Sequence, residues 1–112
     1  MPSIDGELLK GSLTVMLLAI LERGPSYGYQ IVKEVRVRSD ETIQLKEGSL
    51  YPTLHRLEQA GLIEGFWQQR TDGANRRYYR LTEQGALAAQ AKRAEWRRFT
   101  TAVEGVLGDA IA

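Results

Sequence analysis

The stretch Gly48–Thr82, GSLYPTLHRLEQAGLIEGFWQQRTDGANRRYYRLT, decides the fold. Leu50, Leu54 and Leu57 recur at i, i+4 and i+7, the spacing of one helical face. Gly61 supplies a C-terminal stop. A helix is predicted from Gly48 or Ser49 to about Ala60, with Pro52 close to the first turn, where its missing N–H does least harm. Beyond it, Phe66, Trp67, Tyr78, Tyr79 and Leu81 are strand formers, and Tyr79/Leu81 alternate with Tyr78/Arg80 at a period of two. Between the two strands, TDGAN offers Asp-Gly and Asn for turn positions of positive φ. Helix, strand, turn and strand in this order describe a helix with a β-wing beside it.

Opposite the leucines lie Gly48, Pro52, His55, Arg56 and Gln59, with Ser49 and Tyr51 on the flanks. Small, hydrogen-bonding and cationic side chains on the free face of a short helix suit groove reading, and equally an ordinary solvated face. The hairpin breaks the tie. Eleven of the fifteen cations are arginines, and Arg70, Arg76, Arg77 and Arg80 crowd the wing with only Asp72 opposing them. The planar guanidinium fork suits phosphates and guanine edges. Arg70, Arg76 and Arg77 around Gly73 and Asn75 are placed for phosphate or minor-groove contacts. His55 is a possible contact to phosphate or a base edge, or simply a surface histidine.

Upstream, Leu13, Met16, Leu17, Ile20 and Leu21 form one apolar face, predicting a helix over Ser12–Arg23 capped by Ser12 and ended by Gly24-Pro25. A second helix is predicted over Ser26–Val37 with Ser26 as its cap; Gly28 there argues close packing against a neighbouring helix. Alternating Ile43 and Leu45 suggest a short third strand of the wing sheet. Downstream, Thr82 caps a helix running to about Leu107, long enough to overhang so small a domain. Its distal half sets Trp96, Phe99, Val103, Val106 and Ala110 at heptad-like spacing beside Leu107. A twofold dimer through this stripe is one way to cover it, and folding back on the first helix is another. Trp96 suits either a dimer core or a surface for stacking an aromatic effector.

The 112 residues make one compact domain: a winged helix-turn-helix region over 1–82 and a dimerisation helix over 83–112. The expected class is mainly α with a small β-wing. With no cysteine and one histidine, thiol chemistry and a His pair for zinc are excluded, and no cofactor or metal is expected. No apolar run approaches a membrane span, and the N-terminus, with Asp5 and Glu7, is unlike a signal peptide. A cytoplasmic protein without membrane contact is therefore expected.

Three blocks, LLKGSLTVMLLAILERGPSYGYQI, GSLYPTLHRLEQAGLI and RRYYRLTEQG, resemble the PadR-type transcriptional regulators, named for control of phenolic acid decarboxylase. The resemblance spans about Leu8 to Ala110 and matches the short branch of the family. It implies a homodimer, usually a repressor, bound to an inverted repeat in double-stranded DNA. It also implies that Ser49, Tyr51, Pro52 and Thr53 belong to the reading helix, with Lys46 at its entry. Arg76, Arg77 and Tyr78 match the return strand of the wing, with Gly73 at its tip. Members often respond to a small hydrophobic or aromatic effector, and Trp96 falls where a cavity at the dimer interface is expected.

Two other functions compete. A protein-interaction adaptor that has lost DNA binding would more often expose an apolar face on the reading helix. An enzyme would need a site, and none is visible: Glu58, Glu64 and Glu83 read as solvated or capping groups.

Overall fold

The computed structural model describes residues 6–108. Its elements in chain order are α1 (Gly6–Leu21), β1 (Ser26–Tyr27), α2 (Gly28–Arg38), α3 (Glu47–Gln59), β2 (Ile63–Gln69), β3 (Asn75–Leu81) and α4 (Glu83–Leu107). The three strands form one antiparallel sheet in the order β1-β3-β2. This is the winged-helix architecture with a long final helix. The stretch before Gly6 and the expected stripe residue Ala110 lie outside the described residues.

The core forms where the apolar faces of α1, α2 and α3 meet the inner side of the sheet: Leu17, Leu18, Ile31, Leu50, Leu54 and Ile63 are almost fully enclosed. Burying one such side chain stabilises by about 1.5–3 kcal/mol, so this cluster dominates the fold. The leucine spacing of α3 put the right residues inside.

Four local expectations give way. α1 is already helical at Gly6, so Ser12 sits within it and donates to the Leu9 carbonyl (2.9 Å) instead of capping. Ser26 also caps nothing. It pairs with Tyr79 in β1, and Tyr27 becomes the N-cap of α2 without a side-chain cap bond. The third strand is therefore Ser26–Tyr27, not the Ile43 region. Ile43 and Leu45 instead dock a strandless loop onto the core, with the Ile43 N–H held by the Ser39 hydroxyl (2.9 Å). Pro52 stands in the sixth position of α3, just past the first turn, on the exposed side of the helix.

α4 leaves the wing under tight control. Thr82 Oγ1 accepts from the Gly85 N–H (3.0 Å) and donates to the Gly61 carbonyl (2.6 Å), while the Thr82 N–H reaches the Leu62 carbonyl (3.0 Å). A side chain at Gly85 would collide with that same Leu62 carbonyl. Gly85→Ala should therefore cost about 1–3 kcal/mol through overpacking. Gly11→Ala, whose Cβ meets nothing within 4 Å, should stabilise by roughly 0.5–1 kcal/mol through helix propensity. Urea unfolding midpoints check both; a neutral Gly85→Ala would mean that α4 is free to shift from Leu62.

Candidate nucleic-acid interface

α3 lies with its leucines inside and Gly48, Pro52, His55 and Gln59 exposed, as the periodicity implies. Lys46 is its exposed N-cap, and Glu47 is the one acidic residue of its first turn. Two residues at this face are more constrained than their sequence positions suggest. Thr53 is only 4% exposed, and its hydroxyl donates to the Ser49 carbonyl of its own helix (2.9 Å). Thr53 thus turns toward the core beside Leu50 and Leu54. Arg56 is exposed but leans to α1, where Nη2 donates to Thr14 Oγ1 (3.0 Å). Ser49 is exposed beside the groove that separates α3 from the start of α1.

Tyr51 reaches the other way. Its hydroxyl lies over Gly28, where any Cβ would collide with it, so the glycine is explained by close approach of α3 to α2. Burial there, then the Glu47 carboxylate and Tyr79, raises the Tyr51 pKa above the ordinary tyrosine value. The phenol is thus a neutral hydrogen-bond donor at physiological pH.

At the wing tip Gly73 adopts φ +86°, the Arg70 N–H meets the Ala74 carbonyl (2.8 Å), and Asp72 Oδ1 accepts from the Ala74 N–H (3.0 Å). Asn75 takes no positive φ; it opens β3 opposite Gln69. The outer face of the sheet carries an aromatic row across all three strands, Tyr27, Tyr78 and Phe66, with centroids 5.2 and 5.8 Å apart. Tyr78 is thus half-buried within this row rather than projecting from it.

Arg70 and Arg76 converge on Tyr27. Arg70 Nη1 donates to its hydroxyl (3.3 Å), and the Arg76 guanidinium lies 4.7 Å from its ring centroid. Arg70 is also loosely paired with Asp72 (3.6 Å). Arg76 forms no ion pair among the described residues, and its buried Nε has no hydrogen-bond partner. Its guanidinium is thus partly desolvated against the Tyr27 ring.

Arg77 is different. Its Nη2 donates to Glu58 Oε2 (2.9 Å), and the same oxygen accepts from the Gly65 N–H (3.2 Å). Glu58 is therefore not a merely solvated carboxylate: it ties α3 to both long strands. Glu64 likewise pairs with Arg80 (2.7 Å) on the outer face. Tyr27 and Glu58, neither of them an expected site residue, hold the charged wing together.

A second surface lies between α1 and α4, where Thr14, Val15, Lys92, Glu95, Trp96 and Phe99 line a groove of about 580 Å³. The first half of α4 does fold along α1, burying Ala89 and pairing Arg93 with Glu22. The distal stripe remains uncovered: Phe99, Val103, Val106 and Leu107 are exposed, Val106 by 88%. Among the described residues no helix is long and apolar enough to cross a membrane, and no cluster of potential metal ligands occurs.

Comparison with known proteins agrees with this geometry. The family described as "Transcriptional regulator PadR-like family" matches residues 17–91. A PadR-like transcriptional regulator from Bacillus cereus superposes with a TM-score of 0.79 at 29% identity, covering 93% of this chain and 99% of that one. A PadR family transcription regulator from Clostridium difficile gives 0.76 at 37%, covering 88% and 100%. The Escherichia coli transcriptional regulator YqjI is 33% identical over 76 residues, which is 68% of this chain but 35% of that protein.

The Glu58–Arg77 pair is partly exposed, so its energetic contribution should be modest. A double-mutant cycle of Glu58→Ala and Arg77→Ala, read by urea unfolding, should give a coupling of about 1 kcal/mol or less, favourable in sign. Zero coupling would show that the wing is not fastened to α3 through this pair.

Proposed function

The chain belongs to the PadR-like family of transcriptional regulators, and from that membership we propose that it represses transcription as a homodimer seated on an inverted repeat. It is a DNA-binding transcription regulator and not an enzyme. The observation that carries the finer reading is the presence of two distinct surfaces. One comprises the exposed face of α3, with Pro52, His55 and the flanking Tyr51, and the Arg70–Arg76 cluster of the wing. The other is the apolar stripe along distal α4, which is exposed along the described helix.

The division of labour on DNA follows from side-chain setting. Pro52, His55 and Ser49 face outward on α3 and, with the exposed part of the Tyr51 ring, are the proposed readers, with Arg56 available once released from Thr14. Lys46, Arg70 and Arg76 are the proposed phosphate contacts, and Gly73 with Asn75 lets the tip approach the backbone closely. Arg77 and Tyr78 support the wing from within.

The dimer supplies the second half-site. A 25-residue helix rises nearly 40 Å at about 1.5 Å per residue, and the covered half accounts for only part of it. Trp96, Phe99, Val103, Val106 and Leu107 are the proposed contacts with the twin helix. Placing Asp at Phe99 and Val103 should yield monomers by sedimentation, and binding to a palindromic operator should collapse, since two half-sites must be held about one helical turn apart. A doubly charged variant that stays dimeric would move the interface elsewhere.

The groove beside Trp96 suits a flat aromatic effector, with the indole 5.8 Å from Phe99 and with Glu95 and Lys92 at hand for a charged substituent. Such a ligand would lower operator affinity by favouring a dimer geometry with the wrong spacing of reading helices. Titration with planar aromatic cations and phenolic acids should quench indole emission in the native protein and weaken operator binding. Quenching that survives Trp96→Ala unchanged, or binding that leaves operator affinity untouched, would remove the effector from the mechanism.

A further inference from the structure

A groove runs between α3 and the first turns of α1. Leu13 of α1 and Thr53 of α3 are buried beneath it, while exposed Lys10 stands on the α1 rim and exposed Ser49, Pro52 and Arg56 stand on the α3 rim. Its volume is about 280 Å³, room for far more than one water at ~30 Å³ each. One contact fixes the register of the two rims: Arg56 Nη2 donates to Thr14 Oγ1 (3.0 Å). Lys10 lies one turn before Thr14 on the same face of α1, as Pro52 lies one turn before Arg56 on α3. Packing of α1 on α3 therefore brings Lys10 beside the exposed face of the helix.

The charge along this groove is one-sided. The one side-chain partner of Arg56 among the described residues is a neutral hydroxyl, so its charge is unanswered. Among the described residues no carboxylate lines the groove. Glu47, the acid in the first turn of α3, acts instead on Tyr51, which reaches toward Gly28 of α2. At 100° per residue Tyr51 and the Ser49–Arg56 row occupy opposite edges of the exposed face. The acid belongs to one edge, and the two cations to the other.

We infer that Lys10 is a further contact with duplex DNA, donating to a phosphate of the backbone that passes along the α1 edge of α3. The inference rests on the reading of α3 as the element that enters the major groove. That groove is about 12 Å wide, and a helix with its side chains is roughly 10–12 Å across. A helix inside it fills it, and its two edges stand against the two backbones. Ser49 and Pro52 belong both to the exposed face of α3 and to the rim opposite Lys10, so a backbone along that edge meets the lysine. A compact ammonium on a flexible stem suits a phosphate oxygen.

The test uses the full chain and a fluorescein-labelled random-sequence duplex, read by anisotropy across a salt series, because a phosphate contact needs no operator. Lys10→Ala and Lys10→Gln should each flatten the slope of log K against log salt by about 0.9 for every chain bound. Lys10→Arg, which keeps the charge, should retain the native slope. Arg23→Ala removes an exposed cation just past the other end of α1 and should leave the slope unchanged. Lys10→Ala and Lys10→Gln chains that melt like the native chain and keep its slope would overturn the inference. Equal flattening by Arg23→Ala would do so too, because the effect would then belong to the charge of the whole chain. Loss of fold in both neutral variants would make Lys10 a structural residue and end the proposal. If the native chain leaves the anisotropy unchanged even at low salt, the DNA-binding reading falls first and this one with it.

Discussion

Burial of one side of α3 is the constraint on which the rest of the molecule turns. Leu50, Leu54 and Leu57 are nearly inaccessible, packed where α1, α2 and the sheet meet. Once they are inside, Pro52, His55 and Gln59 have nowhere to go but out, and the helix cannot rotate to hide them without exposing leucines. Rotating even one leucine into water costs about 1.5–3 kcal/mol, against which no plausible surface contact competes. The exposed face of α3 is therefore preorganised.

The wing shows how far charge counting goes. Four arginines within eleven residues correctly mark it as the basic element, but the structure assigns them separate tasks. Arg80 answers Glu64, Arg77 answers Glu58, and Arg70 and Arg76 gather around Tyr27. These partners come from distant parts of the chain, and no local pattern encodes a pairing across 19 or 43 positions. Periodicity, by contrast, is local: it grouped Tyr79 with Leu81 and Tyr78 with Arg80, as residue type alone marked the cap at Thr82 and the stop at Gly61. The misplaced third strand has the same origin. Ile43 and Leu45 alternate as a strand would, yet a strand needs an edge to pair with. The free edge of β3 is taken by Ser26 and Tyr27, whose tyrosine packs edge-on against Tyr78. The burial of Thr53 was not legible either, because position in a motif does not reveal on which side of the helix a hydroxyl is spent.

The two proposed activities, operator reading and effector response, meet through short paths. α4 is anchored to the end of α3 by Thr82 at the Gly61 and Leu62 carbonyls, with Gly85 pressed against the latter. A tilt of α4 therefore cannot be absorbed at its start by a loose linker. Thr14 makes a second connection, since it lines the groove beside Trp96 and also accepts the hydrogen bond from Arg56 of α3. On the proposed reading, a ligand that displaces Thr14 frees or redirects Arg56, while one that spreads α1 from α4 moves the reading heads as rigid bodies. The first would alter which bases are preferred with the dimer spacing intact. The second would lower affinity for every inverted repeat of fixed spacing. Only differential affinity between the two geometries lets either happen. The absence of slack between α3 and α4 favours the rigid-body route, because interlocked backbone contacts transmit a tilt whole whereas a single exposed hydrogen bond to Thr14 is replaced by water at little cost.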